Sequence, residues 1–152
     1  MKIKSINILP IEMKLSEPYK IAYETVSSTT NIFIKIVTSN GLTGFGCAAP
    51  DTEITGETKQ SVINIFEETV KPTLIGADAS RYIYQLNKLK TIKIGNPSAL
   101  AMVDMALFDL ICKESKIPLY KFLGGYRNRI KTSITIGILP VKETVDKAIQ
   151  LT

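Results

Sequence analysis

Hydrophobic and polar residues alternate over the first fifty positions of the chain. The alternation covers residues 2–13, 31–37 and 42–48. Successive side chains of a strand point to opposite faces, so this pattern predicts three half-buried strands that form a β-meander. Asn40-Gly41 predicts the turn before the third strand, because Asn-Gly tolerates positive φ. Residues 15–30 are polar and rich in Ser and Thr, and they predict a mobile loop.

From residue 55 onwards the apolar spacing becomes that of helices. Apolar residues recur three or four positions apart after Thr55-Gly56-Glu57 and again after Asp78, which predicts two helices with one buried face each. We expect Lys71-Pro72 to end or kink the first helix, because Pro lacks an N–H and crowds the preceding turn. Asp78 should cap the second helix. Asn96-Pro97 should cap a third, with Pro in its first turn.

The third helix, from Ser98 to about Lys113, is apolar on nearly every side. Such a helix is typical of a protein core. Its charges before the end are Asp104 and Asp109, which point about 140° apart on a helix. They are therefore not a carboxylate pair for acid–base catalysis, and we expect each to bond to a nearby Lys, Arg or backbone amide. Gly124-Gly125 should end the helical region.

Alternation returns over residues 129–138, with isoleucines on one face and mainly small or charged residues on the other. This pattern predicts a strand, and Pro140 should open a helix after it. A strand followed by a helix is half of a βαβ unit, which needs further parallel strands to form a sheet. We therefore predict a first domain over residues 1–125 and the truncated start of a second, larger domain over residues 126–152.

Composition and charge exclude several classes of function. The 152 residues include 19 Lys and Arg against 14 Asp and Glu, a net charge of +5 without a basic block, so we expect no nucleic-acid partner. No apolar run approaches the ~18 residues of a membrane span, and no signal peptide is recognisable; we expect a cytoplasmic protein. The chain has no His, which excludes His-based triads. Cys47 and Cys112 lack CxxC spacing and should be small core hydrophobes.

Two motifs, in order, resemble the signatures of one enzyme superfamily. Residues 41–50, GLTGFGCAAP, are similar to its second hairpin strand, and residues 101–125 contain ALFDL, PLY and LGG. Together they resemble the enolase superfamily, in its muconate-lactonizing and mandelate-racemase-like branch. Within that branch, residues 54–58 and 132–137 are most similar to the dipeptide epimerases.

The resemblance implies an α+β capping domain, a β-meander followed by a helical bundle, joined to a TIM-type (β/α) barrel. Two loops of the cap, residues 15–30 and 50–57, would cover the barrel mouth. The implied reaction removes the α-proton of the second residue of a dipeptide and returns it through an enediolate, which such enzymes stabilise with Mg²⁺. The Mg²⁺ ligands and base lysines are expected beyond residue 152. We therefore assign no catalytic and no metal-binding residue within this chain, which alone should be inactive, and we expect a homo-oligomer.

Four residues are candidates for binding the dipeptide. Thr135 lies on the polar face of the first barrel strand, where its hydroxyl can bond a dipeptide amine or carboxylate; the alternative is packing inside the barrel. Glu24 stands where Glu-selective relatives tend to carry Arg. A Glu repels an acidic side chain, which favours a neutral, hydrophobic or cationic dipeptide, unless Glu24 is merely solvated. Tyr19 and Ile54 are candidate apolar contacts from the two loops, or packing residues.

Two alternatives to a dipeptide epimerase stay open at this point. The same cap could belong to another muconate-lactonizing-like enzyme, such as a cycloisomerase or an o-succinylbenzoate synthase. A non-catalytic, stand-alone cap module would be the better explanation if the gene ended at Thr152.

Overall fold

The computed structural model describes residues 1–22, 24–91 and 95–151. The chain divides into two units. The first unit comprises Met1–Ile11 and Thr30–Tyr126, and the second comprises Glu12–Thr29 and Arg127–Thr152.

Three strands form one sheet in the order β1-β2-β3. They span Ile3–Lys20 (β1), Thr25–Thr38 (β2) and Thr43–Ala48 (β3). The mobile loop predicted over residues 15–30 is therefore wrong, because the first two strands extend through most of it. We call the part of β1 and β2 within Glu12–Thr29 the ribbon. Its two strands satisfy each other's backbone hydrogen bonds, so the ribbon needs no buried face and its sequence shows no apolar alternation. Pro18 is tolerated because β1 lies at the edge of the sheet.

β2 and β3 pair antiparallel with the predicted turn between them. The register runs from Ile32 opposite Ala48 to Val37 opposite Thr43. At the turn the Thr38 amide donates to the Leu42 carbonyl oxygen at 2.9 Å. Ile32, Ile34 and Ile36, on the inner face of β2, are fully buried. The sequence pattern is confirmed here because one face of the sheet meets the core.

The first helical run continues through the proline that was expected to end or kink it. Helix α1 spans Lys59–Ile65, a π-helical turn follows over Phe66–Val70, and α2 spans Lys71–Leu74. Thr58 and Ser61 form a capping box at the start of α1, so the helix begins later than Thr55-Gly56-Glu57. Pro72 lies in the first turn of α2, directly after the wider π-helical turn. Of the two predicted outcomes, an end of the helix at Lys71-Pro72 is wrong, because that turn displaces the hydrogen-bond register just before the missing N–H. A kink at this position stays a prediction.

The remaining helices follow the predicted order. A 3₁₀ turn over Ala79–Arg81 leads into α3, and the later helices are α3 (Tyr82–Thr91), α4 (Pro97–Ser115), α5 (Leu119–Phe122) and α6 (Val141–Leu151). The Asp78 carboxylate accepts a bond from the Ser80 amide at 3.0 Å, which confirms the predicted cap. Hydrogen bonds from the amino group of Met1 and from the Ser80 backbone hold the pKa of Asp78 below its ordinary value.

The core of the first unit forms where α4 packs on β3. A Cβ at Gly46 would lie 1.9 Å from the Met102 carbonyl oxygen, and one at Gly44 would lie 2.3 Å from the Ala106 carbonyl oxygen. Helix and strand backbones are therefore in direct contact, which side chains on β3 would prevent. Seven α4 residues are buried: Ala99, Met102, Val103, Ala106, Leu107, Leu110 and Cys112. The predicted core helix, and with it the α+β fold, is confirmed.

The two α4 aspartates and the two cysteines have different surroundings. Asp109 accepts bonds from the Phe45 amide at 2.9 Å and from the Lys113 ammonium at 2.7 Å, which confirms its structural role. Asp104 is half-buried, and its partner stays a prediction. Burial raises the pKa of the Cys47 and Cys112 thiols, so both stay protonated near neutral pH. Cys112 is buried, as expected of a core residue, whereas Cys47 is only half-buried.

Residues 129–138 do not form the predicted strand in this structure. They carry no strand or bridge assignment, and three of the isoleucines are exposed: Ile130, Ile134 and Ile138. A strand needs a neighbour to complete its ladder. The Ile138 amide donates to the Lys20 carbonyl oxygen at the end of β1, but among the described residues no ladder of strand pairs continues from this bond along the segment. The helix predicted after Pro140 is confirmed as α6.

Candidate functional site

A cavity in the second unit brings together two of the four predicted binding residues. Its volume is about 400 Å³, and Tyr19 and Thr135 both line it. Tyr19 comes from the end of β1, whereas Thr135 comes from the extended segment before α6. A phenol ring and a hydroxyl that line the same cavity can bind a small amphipathic molecule, because such sites combine apolar surface with few polar groups.

Charged residues surround the same cavity. Glu17, Lys20 and Lys147 belong to its lining. The Lys147 ammonium forms an ion pair with the Glu17 carboxylate, which joins α6 to the end of β1. This pair gives Lys147 a structural contact with β1. The cavity thus presents both charge signs to a ligand.

Glu24 lies beside the cavity but is not among its described lining residues. Its carbonyl oxygen accepts a hydrogen bond from the Ile21 amide at 2.9 Å, which closes the turn between β1 and β2. The side chain is exposed, whereas the next residue, Thr25, lines the cavity. Its role in charge selection stays a prediction.

Ile54 belongs to the first unit, on the loop between β3 and α1. The Asp51 carboxylate accepts hydrogen bonds from the Glu53 amide at 2.8 Å and the Ile54 amide at 2.9 Å. The Thr55 amide donates to the Asp51 carbonyl oxygen at 2.8 Å. These local bonds order the loop and leave the Ile54 side chain 74% exposed at its tip. An ordered loop with an exposed apolar tip is suited to contacting a ligand or a further part of a protein.

Glu57 is an important residue that sequence reasoning missed. It is 1% exposed, and its carboxylate accepts bonds from the Ser98 amide at 2.9 Å and the Ala99 amide at 3.3 Å. The carboxylate therefore satisfies the free amides at the start of α4, where the helix dipole favours negative charge. Asn96 occupies the predicted cap position but its side chain makes no capping bond. Glu57 also fixes the end of the Ile54 loop to the core.

The described residues do not form a metal centre. Across residues 1–22, 24–91 and 95–151, no group of three or more Cys, Asp or Glu side chains could hold a metal ion. Over the same residues, no helix has the length and apolarity needed to cross a bilayer.

These features define an α+β domain with a small cavity in its second unit. Residues 3–124 match the sequence profile of the family described as mandelate racemase / muconate lactonizing enzyme, N-terminal domain. The chain belongs to this family, which confirms the resemblance to the enolase superfamily.

Characterised relatives match almost the whole chain. It is 43% identical to an L-Lys-D/L-Arg epimerase of Desulforapulum autotrophicum over 97% of this chain and 42% of that protein. It is 38% identical to an L-Ala-D/L-Glu epimerase of Clostridium acetobutylicum over 91% of this chain and 38% of that protein. The chain thus spans about two fifths of the length of these relatives.

A solved structure gives the same result for the fold. The dipeptide epimerase from Methylococcus capsulatus, complexed with Mg and the dipeptide L-Arg-D-Lys, superimposes with a TM-score of 0.93 at 33% identity. The superposition covers 99% of this chain and 43% of that protein. The capping-domain architecture is therefore shared with that enzyme.

Proposed function

We propose that this chain is the capping and substrate-recognition part of a Mg²⁺-dependent dipeptide epimerase. The observation that carries the proposal is the similarity to dipeptide epimerases along almost the whole chain. The cavity lined by Tyr19 and Thr135 supports it, because it brings together two of the residues that are candidates for binding the dipeptide.

In this proposal the chain binds and orients the dipeptide while other parts of the enzyme move the proton. The Thr135 hydroxyl donates to the dipeptide carboxylate or accepts from its amine, and the Tyr19 ring covers an apolar part of the ligand. A bound Mg²⁺ would stabilise the negative charge that develops when the α-proton leaves. Its ligands and the base lysines are expected beyond residue 152.

We infer that the substrate is a dipeptide without an acidic side chain. Glu24 places negative charge beside the cavity, and a second carboxylate there would be repelled. Among non-acidic dipeptides, cationic ones fit this charge best. The 43% identity to an L-Lys-D/L-Arg epimerase supports the same choice, although the acid-selective relative at 38% identity is also similar. Hydrophobic dipeptides are therefore the first alternative, and acidic ones the second.

The test is α-proton exchange with solvent in the full-length gene product. Dipeptides with cationic, hydrophobic and acidic second residues are incubated in D₂O with Mg²⁺, and loss of the α-proton signal is followed by NMR. We expect the fastest exchange at the second residue of L-Lys-L-Arg and none after chelation with EDTA. Conversion of a cyclic acid, with no dipeptide exchanged, would favour a cycloisomerase or synthase instead.

A further inference from the structure

The end of β1 and the segment before α6 approach each other most closely at Gly137. A Cβ built on Gly137 would lie 2.9 Å from the Tyr19 Cβ and 3.1 Å from both the amide nitrogen and the carbonyl oxygen of Lys20. Gly137 is not among the glycines with positive φ. The backbone conformation therefore accepts other residues, and the requirement for glycine at this position comes from space alone.

A main-chain hydrogen bond joins the same two segments one residue later. The Ile138 amide donates to the Lys20 carbonyl oxygen at 2.7 Å. This bond needs the two backbones to lie side by side, which the missing side chain of Gly137 permits. Contact and hydrogen bond therefore depend on each other.

An ion pair between α6 and the end of β1 adds a third connection. The Lys147 ammonium on α6 contacts the Glu17 carboxylate, two residues before Tyr19. Glu17, Tyr19 and Lys20 all line the cavity of about 400 Å³, and so do Thr135, Gly137 and Lys147. The end of β1 is thus held against the wall that carries Thr135.

We propose that Gly137 and the Ile138 amide are positioning residues that set the distance between Tyr19 and Thr135 in the substrate cavity. The ribbon, formed by the end of β1 and the beginning of β2, is docked on residues 137 and 138 rather than free to move as a loop. A larger residue at position 137 displaces Tyr19 and opens the cavity. The consequence for substrate binding rests on the proposed function, whereas the docking itself does not.

Amide hydrogen exchange of the protein tests the docking without reference to activity. Gly137→Ala introduces the crowded Cβ, and Gly95→Ala is the matched control, because a Cβ at Gly95 meets nothing within 4 Å. We expect Gly137→Ala to speed exchange at the Ile138 amide about tenfold by local opening. The Gly95→Ala variant and the amides of buried Ile34 should exchange as in the wild type. Equal exchange at Ile138 in both alanine variants overturns the proposal.

A charge reversal keeps the test decisive if Gly137→Ala fails to fold. Lys147→Glu places two carboxylates together and should speed Ile138 exchange a few-fold, as expected of an exposed ion pair. The double variant Glu17→Lys with Lys147→Glu should restore slow exchange. The proposal is wrong if the single reversal leaves Ile138 exchange unchanged or if the double variant fails to restore it.

Kinetics of the full-length enzyme then separate positioning from general damage. Displacement of Tyr19 by Gly137→Ala should raise KM about tenfold and change kcat less than about twofold, because uniform binding is lost. A lower kcat with unchanged KM indicates fewer folded molecules and contradicts the positioning role. If no dipeptide reacts with the wild type, the proposed function fails while the exchange result still decides the docking.

Discussion

The buried carboxylate of Glu57 offers the most direct test of how the core and the Ile54 loop are joined. Its oxygens accept from two amides in the first turn of α4, those of Ser98 and Ala99. Glu57→Ala leaves both amides without this partner, at ~1–3 kcal/mol for each buried group left unpaired, and it removes the helix cap, worth ~0.5–2 kcal/mol. Water that enters the space offsets part of this loss. We therefore expect a loss of about 3 kcal/mol in the free energy of unfolding.

Glu57→Gln separates the charge from the hydrogen bonds. Glutamine keeps one acceptor oxygen but loses the interaction of the carboxylate with the helix dipole, which is worth up to ~2 kcal/mol in a partly buried site. We expect a loss of about 1–2 kcal/mol, so that the order of stability is wild type, then the Gln variant, then the Ala variant.

Urea unfolding followed by far-UV circular dichroism measures these differences, since the chain has no Trp for fluorescence. Glu53 is an exposed glutamate in the same loop, and Glu53→Ala is the matched control, expected within ~0.5 kcal/mol of the wild type. In thermal unfolding, a loss of 3 kcal/mol should lower Tm by ~6–12 °C in a domain of this size. If Glu57→Ala unfolds within about 1 kcal/mol of the control, the reasoning that the carboxylate stabilises α4 is wrong.

Three further predictions concern other parts of the chain. Gly46→Ala brings a Cβ to 1.9 Å from a helix carbonyl oxygen and should cost at least ~3 kcal/mol of unfolding free energy, whereas Gly95→Ala in the same urea assay should cost less than ~1 kcal/mol. In the full-length enzyme, Glu24→Arg should raise kcat/KM for acidic over cationic dipeptides about tenfold or more, and an unchanged ratio would remove Glu24 from charge selection. The pKa of Asp78 is lowered in the folded chain, so its ionised form adds stability above its unfolded pKa of ~3.9 that disappears as the pH falls through the folded value. Asp78→Asn should therefore cost up to ~1 kcal/mol at pH 7, a small value because the side chain is largely solvated, and progressively less as the pH falls through the folded pKa. An equal cost at neutral and at acidic pH would contradict an ionic contribution.

The sequence predicted those elements whose side chains meet the core. The isoleucines at every second position of β2 and the apolar residues at helical spacing in α4 are the residues that the structure buries. The sequence also assigned Asp109 a structural role, because Asp104 and Asp109 point about 140° apart around the helix and cannot act as a catalytic pair. In each case the pattern within one element was enough.

The predictions from the sequence were wrong or missing where a contact joins distant segments of the chain, or where both faces of a strand are exposed to water. Glu57 and Ser98 are 41 residues apart, and nothing local marks that pair. The ribbon at the ends of β1 and β2 is polar, so that its strands leave no alternation to recognise. Residues 129–138 show the opposite error, since they alternate but form no ladder of strand pairs in the described structure, where their bond to β1 is made at Ile138.

The four candidate substrate contacts differ in their surroundings: two line the cavity and two are exposed. This difference determines which of them can be substituted without disturbing the rest of the fold. Tyr19 and Thr135 line a cavity next to Gly137, where there is no space for a side chain, so substitutions there disturb the cavity itself. Glu24 and Ile54 are exposed at a turn and at a loop tip, and exposed positions of this kind usually change stability by less than ~0.5 kcal/mol. If the proposed function holds, we expect substitutions at these tips to alter the charge and size of the preferred dipeptide while the core, the Glu57 cap and the cavity wall stay intact.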